Sequence, residues 1–183
     1  HIDEEGVLID NFQLVDQGRL REKELEELFT TAPYPTRNFH HNLGDLKAQV
    51  AANEKGVQEL RKMVDHFGLD VVLAYMKHVQ DNAEETVRRV VQNLSDGEYE
   101  YEMDFGAKVK VAITVHPETR SATVDFTGTS PQQDNNFNIT HAVAVAAVLY
   151  TFRLMVDDDI PLNAGCLKPL NIIVPEDCML RPS

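Results

Sequence analysis

Two apolar runs, placed back to back, constrain this chain more than any other feature. Leu43, Leu46, Val50, Val57, Leu60, Val64 and Phe67 fall mostly three, four or seven residues apart, with Asn53 in the one polar slot. Val72, Met76, Val79, Ala83, Val87, Val90 and Leu94 repeat the pattern directly afterwards. Such spacing keeps apolar side chains on one face of a helix. Asn42 suits an N-cap and Gly68 a left-handed helix stop. Ser95–Gly97 closes the second run. The pattern predicts two long helices with a one- or two-residue link, running antiparallel as a hairpin over 42–97.

Before the hairpin, residues 1–41 read as an arm, a short helix and a loop. GVLIDNFQLV (6–15) fits a strand or an extended arm, RLREKELEELF (19–29) has helical spacing, and TTAPYPTRN (30–38) is a proline loop. After the hairpin, over 98–183, the period switches to two. Tyr99, Tyr101 and Met103 alternate with acids, then Val109, Val111, Ile113 and Val115, then Ala122, Val124 and Phe126. His116–Ser121 reads as a hairpin turn. These strands form an antiparallel meander with one wet face. Thr140–Val156 is apolar nearly all round and reads as a buried helix, and NIIVP (171–175) as a final strand. The fold class is α+β, one compact piece of a larger chain.

Composition limits the function classes. A net charge of -13 over 183 residues argues against binding a nucleic-acid backbone or an anionic membrane. Two cysteines, Cys166 and Cys178, form no CxxC or Cys/His ligand spacing, which argues against a structural zinc site and for a reducing, cytoplasmic setting. The opening shows no signal-peptide pattern, and the last residues follow a strand without a capping element. We therefore expect an internal fragment of a longer polypeptide.

The chemistry-bearing stretches are polar joints on either side of the apolar helix. In DFTGTS, Gly128 permits close backbone approach, and Thr127, Thr129 and Ser130 surround it with hydroxyls that could cradle an anion. A glycine turn after a strand is also an ordinary connection, and no P-loop pattern is present. Asn135, Asn136 and Asn138 follow; capping by an asparagine or by Thr140 accounts for one of them, and amide recognition for the others. In PLNAGC, Asn163 and Gly165 stand beside Cys166, which reads as a small core residue. His1, His40, His41, His66, His78, His116 and His141 show no metal-ligand spacing. Asp157–Asp159 reads as a solvated acidic loop. Arg37, in the proline loop, has the chemistry to pair with a carboxylate, though an exposed arginine is the ordinary reading.

Three stretches together carry a resemblance. DLKAQVAANEKGV, DGEYEYEMD through DFTGTSPQ with its asparagine-rich continuation, and DDDIPLNAGCLKPLNIIVPE resemble the hydantoinase B/5-oxoprolinase family in order and spacing. GVLIDNFQLVDQG and VDDDIPLNAGCLKPL are most similar to bacterial 5-oxoprolinases and less similar to acetone carboxylase alpha subunits. The resemblance implies work with a hydantoinase A-type ATPase, as a subunit or a fused domain. It implies ATP-dependent opening of a cyclic amide, either 5-oxoproline to glutamate or N-methylhydantoin to N-carbamoyl-sarcosine. ATP and a divalent metal would serve the parent enzyme; none is expected in this fragment. The family's Asn-Asp-Pro and His-His-Ala-Asp metal motifs are not in this chain, and His40-His41 leads into Asn-Leu-Gly-Asp instead. The fragment alone is therefore expected to be inactive, with catalytic residues unassigned and no metal ligands. Carried over by motif, Asp125, Thr127, Gly128, Thr129, Asn138, Asn163 and Gly165 are the expected substrate-pocket residues, facing one cavity. Two alternatives stand beside this: a non-catalytic subunit-docking scaffold built on the helical hairpin, and an acetone-carboxylase-like alpha-subunit fragment. A homo-oligomer is compatible with each.

Overall fold

The computed structural model describes residues 6–183; His1 and the first residues of the arm read over 1–41 lie outside them. The chain divides into two compact units, His1–Leu69 and Asp70–Ser183. Among the described residues there are four α-helices and two sheets, and the class is α+β.

In the first unit the sequence DQGR makes the tightest turn. Gln17 and Gly18 both have positive φ, 47° and 79°. That matches the I′ turn, whose twist suits the strands that it joins. These are β1 (Val15–Asp16) and β2 (Arg19–Leu20), paired antiparallel. The preceding segment is the extended arm, without a ladder of its own. Its Val7, Phe12 and Leu14 pack on a small core of Leu25, Phe29 and Leu43. Leu25 and Phe29 belong to α1 (Glu22–Thr31) and Leu43 to α2 (Phe39–Phe67).

The start of α2 corrects one expectation. Its N-cap is Asn38, whose side chain accepts from the His41 N–H at 3.2 Å, and Asn42 lies inside the helix. Pro33 and Pro35 block helix only up to that point, and Asn38 offers the same capping chemistry sooner. Gly68 ends α2 as expected, with φ 85° and its N–H on the Val64 carbonyl at 2.8 Å. Leu43 is the one residue that α2 buries. Val57, Leu60 and Phe67 are exposed and Val64 half-buried, so the apolar seam over 57–67 forms no core among the described residues. Along that stretch the helix carries its own ion pairs, Glu59 with Lys55 at 2.6 Å and with Lys62 at 3.0 Å.

The second unit opens with α3 (Leu69–Val91), which belongs to it from Asp70 onward and is separated from α2 by Gly68 alone. It ends before the expected stop at Ser95–Gly97. The Asn93 and Leu94 N–H groups turn back to Val90 and Val91 at 3.0 and 3.1 Å, and Asp96 accepts the Val115 N–H at 2.7 Å. That bond fixes the entry to the sheet. Strands β3 (Gly97–Glu102), β4 (Lys108–His116), β5 (Ser121–Asp125) and β6 (Leu170–Ile173) lie in that order. The first three form the expected antiparallel meander, but β3 is exposed on both faces, Tyr99 and Tyr101 included, so the expected single wet face does not extend to it; β6 joins parallel to β5. On the wet face Lys108 pairs with Glu100 at 2.6 Å and Lys110 with Glu98 at 2.5 Å.

A parallel neighbour requires a crossover, and α4 (His141–Leu154) supplies it. Ala144, Val148 and Phe152 form its buried stripe. Val148 and Phe152 meet Ala83, Val87 and Val91 of α3 and Ala122 and Val124 of β5 in one core. The helix expected to be buried is buried on that stripe only; Tyr150 is 63% and Leu154 67% exposed. No described helix is long and apolar enough to cross a membrane.

Two substitutions separate core from seam. Val87→Ala should cost about 2 kcal/mol by opening a cavity in the α3–α4 core. Val57→Ala should stay within about 0.5 kcal/mol. Urea unfolding of both variants checks the contrast; equal losses would contradict it.

Candidate functional site

The parallel β5–α4–β6 crossover decides where the two polar joints go. Ala122 pairs with Leu170 and Asp125 with Ile173. The joint that leaves β5 after Asp125 is therefore at one end of the strand pair. The joint that leads into β6 before Leu170 is at the other. A helix of 14 residues runs between them, about 21 Å at 1.5 Å per residue. Asp125, Thr127, Gly128, Thr129 and Asn138 share the first end, and Asn163 and Gly165 the second. The structure does not bring the two sets together, which corrects the expectation of one shared cavity.

At the first end most polar groups already have partners. Asp125 accepts the Thr127 N–H at 2.8 Å through its side chain, an Asx turn. The Thr127 hydroxyl first, and its backbone N–H second, hold the Asp125 carboxyl below the usual aspartate range. Gly128 has φ 96°, the left-handed region that favours glycine, and a Cβ there would meet Lys110 Cδ at 3.0 Å. The Thr129 hydroxyl accepts the Lys110 N–H at 3.1 Å and donates to its carbonyl at 3.2 Å. Ser130 takes the Lys108 N–H at 2.8 Å through its side-chain oxygen and returns its own N–H to the Lys108 carbonyl at 2.8 Å. Two hydroxyls thus stand in where β4 has outrun β5.

Asn138 closes the rest of this joint. Its carbonyl oxygen accepts the Gln133 N–H at 2.8 Å, and its amide donates to the carbonyls of Gln133 at 2.6 Å and Asn135 at 3.0 Å. Asn135 in turn accepts the Phe137 N–H at 2.9 Å. The expected capping role falls to neither asparagine nor Thr140, which makes no side-chain cap bond to α4. The strand-like closing segment pins the joint further: Ile139 donates to the Met179 carbonyl at 2.8 Å, and Gln132 to that of Asp177 at 2.9 Å. The exposed residues of the joint include Thr127, Gly128, Asp134, Asn136 and Phe137, and the Phe137 ring lies 4.8 Å from that of Phe105. This end offers an exposed aromatic pair beside hydroxyl and amide groups, chemistry suited to holding a polar ring.

At the second end Asn163 caps the 3-10 turn Ala164–Leu167, accepting the Gly165 N–H at 2.8 Å and donating to the Pro161 carbonyl at 3.1 Å. Gly165 lies hard against α3. A Cβ there would meet the Gln80 carbonyl oxygen at 2.1 Å. Cys166 is an unpaired thiol with no exposed surface, and Cys178 is likewise unpaired and buried. Lys168 bridges to Asp81 at 3.5 Å and Glu84 at 3.4 Å. Arg120, from the β4–β5 turn, grips Glu85 with both terminal guanidinium nitrogens at 2.9 Å. Sequence reasoning missed these clamps on α3, because no local spacing pairs residues 35 apart.

The residues present do not fit a bound metal ion or a nucleotide phosphate. Among the described residues no three His, Cys, Asp or Glu side chains gather to hold a metal ion. The glycine turn is not a phosphate cradle either: Thr127 N–H is bound to Asp125, and Thr129 N–H to the Phe126 carbonyl at 3.1 Å.

Similarity to known proteins extends over the whole chain. The family model described as hydantoinase B/oxoprolinase matches residues 1–183. A 5-oxoprolinase of Pestalotiopsis fici is 41% identical over 98% of this chain and 15% of its own length. A 5-oxoprolinase of Saccharomyces cerevisiae is 37% identical, again over 98% of this chain and 15% of its own. The crystal structure of an ATP-dependent caprolactamase from Pseudomonas jessenii superposes with a TM-score of 0.75 at 22% identity, covering 96% of this chain and 31% of that one. The last likeness is one of fold. The chain thus spans about a sixth of the curated 5-oxoprolinases that it matches.

Two measurements test the structural roles given to these residues. Gly165→Ala should destabilise by about 1–3 kcal/mol or more, since backbone must move to admit the methyl; an unchanged urea midpoint would refute the close approach. Thr127→Ala should raise the Asp125 pKa toward the ordinary aspartate value, followed by NMR titration. The Asx-turn contribution is present above that ordinary value and is lost as pH falls through the depressed one. An Asp125 that titrates identically in both proteins would contradict the assignment.

Proposed function

The chain belongs to the hydantoinase B/oxoprolinase family, and from that premise we propose that it is part of an ATP-dependent enzyme that opens cyclic amides. The supporting observation is a 5-oxoprolinase likeness over 98% of the chain at 41% identity. 5-Oxoproline, opened to glutamate, is the leading substrate, and N-methylhydantoin the second. A lactam carbonyl is a poor electrophile, and phosphorylation of its oxygen makes that oxygen a leaving group. A hydantoinase A-type ATPase, as partner subunit or fused domain, would supply that step along with ATP and a divalent metal. A Pseudomonas relative whose name marks it as one subunit of a D-/L-hydantoinase supports the two-component arrangement. The setting that we assign is cytoplasmic.

Within that enzyme the contribution of this chain is scaffold and substrate-facing loop, and alone it is inactive. Of the residues assigned to the site, Thr127 and Gly128 are the exposed ones. Asp125, Thr129 and Asn138 set its shape, and Asn163 and Gly165 lock the opposite joint to α3. The acetone-carboxylase-like alternative stays the less favoured of the family readings. A docking role has one observation in its favour: the exposed apolar stripe Val57, Leu60 and Phe67 on α2.

Turnover of 5-oxoproline by the whole protein with its ATPase component tests the main proposal. Asn138→Ala, which removes three loop hydrogen bonds, should lower turnover about tenfold or more, at about 1 kcal/mol for each bond. Absence of ATP-dependent ring opening with 5-oxoproline and N-methylhydantoin alike would overturn the reaction assignment. Unchanged turnover in Asn138→Ala would overturn the loop assignment alone.

A further inference from the structure

A second site, independent of the cyclic-amide reading, lies in the unit His1–Leu69. The extended arm, the end of α1, the proline loop and the start of α2 line an open cleft of about 950 Å³, at the upper end of the size usual for small-molecule sites. Val7 and Phe29 supply apolar wall, while Tyr34, Asn38 and Asn42 supply polar edge. Arg37 is the one cation among the described lining residues, and none of them is an acid. That composition stands against the net charge of -13 carried by the chain as a whole.

The cleft is held in shape before any ligand arrives. Thr36 donates its N–H to the Phe29 carbonyl at 3.0 Å, which ties the loop to α1. Its hydroxyl donates to Asn42 Oδ1 at 3.1 Å, which ties the loop to α2 and directs the Asn42 NH2 away from that contact. Pro33 and Pro35 restrict the backbone on both sides of Tyr34. Arg37, an exposed residue, thus lines the cleft from a braced loop together with Tyr34, Asn38 and Asn42.

We propose that this cleft binds a small organic carboxylate. The Arg37 guanidinium would take the carboxylate in its planar fork. Asn42 and Tyr34 would bond neighbouring polar atoms of the ligand, and its carbon skeleton would lie against Val7 and Phe29. A phosphate ester is disfavoured, because a single guanidinium among neutral amides leaves its second charge uncompensated.

The test is an amide NMR titration of the whole chain with three probes: 5-oxoproline, cyclopentanecarboxylate and 2-pyrrolidinone. Both carboxylates should shift the amide signals of Tyr34, Thr36, Asn38 and Asn42, and 2-pyrrolidinone should not. Arg37→Met should weaken carboxylate binding about tenfold or more, the usual effect of losing a charge-assisted bond, with the remaining spectrum unchanged. Arg37→Lys should retain part of the affinity. Silence with both carboxylates, equal shifts with 2-pyrrolidinone, or full affinity in Arg37→Met would each overturn the proposal. Cyclopentanecarboxylate has no ring amide, so failure of the cyclic-amide reading would leave its response intact.

Discussion

The parallel pairing of β5 with β6 is the constraint on which the second unit depends. Two adjacent parallel strands cannot be joined by a tight turn, so the chain must travel the length of the pair before it re-enters. Here α4 makes that journey, and its stripe Ala144, Val148 and Phe152 is what the sheet and α3 bury. The consequence is directional. Whatever follows β5 and whatever precedes β6 must emerge at opposite ends, whatever their side chains.

That geometry explains the concentration of polar residues at the joints. A connection that passes over the end of a sheet has backbone groups with no ladder partner, and short polar side chains satisfy them. Thr129 and Ser130 complete the hydrogen bonding of β4, Asn138 knots residues 133–138, and Asn163 caps the turn that sets Gly165 on α3. These side chains are committed to the backbone of the loop itself, and the exposed residues stand between them. Structural commitment of one set of side chains and presentation of the others are parts of one arrangement.

Charge completes the fastening of α3. Glu84 is held below its usual pKa first by Arg88, Glu85 first by Arg120 and Asp81 first by Lys77. Depressed carboxylate pKa values add stability above the ordinary range, and that addition disappears as pH falls through the depressed values. The groups are largely solvated, so screening keeps each contribution small. Arg88–Glu84 and Lys77–Asp81 lie within α3; the pairs that reach out of it are Arg120 with Glu85 and Lys168 with Asp81 and Glu84, and these orient α3 toward the β4–β5 turn and the 3-10 turn.

Periodicity alone determined much of this protein. The three-and-four spacing identified both long helices, and the switch to a period of two located β3, β4 and β5, because burial on one face writes itself into local order. Gly68 was legible as a helix stop because glycine tolerates the φ that such a stop requires. The start of α2 at Asn38 was less legible, since two asparagines offered the same cap. Side-chain pattern also marked the polar joints, without distinguishing a residue that binds a loop from one that binds a ligand. Tertiary structure alone decided the rest. A four-residue apolar strand reads alike in parallel and antiparallel pairing, so the direction of β6, and with it the separation of the two joints, awaited its partner. The apolar circumference of α4 could not reveal that only one stripe is covered, because coverage belongs to the neighbours. The grip of Arg120 on Glu85 and the contact of Gly165 with Gln80 join residues far apart in the chain. Sequence order records what each residue can do, and only folding determines which partner it meets.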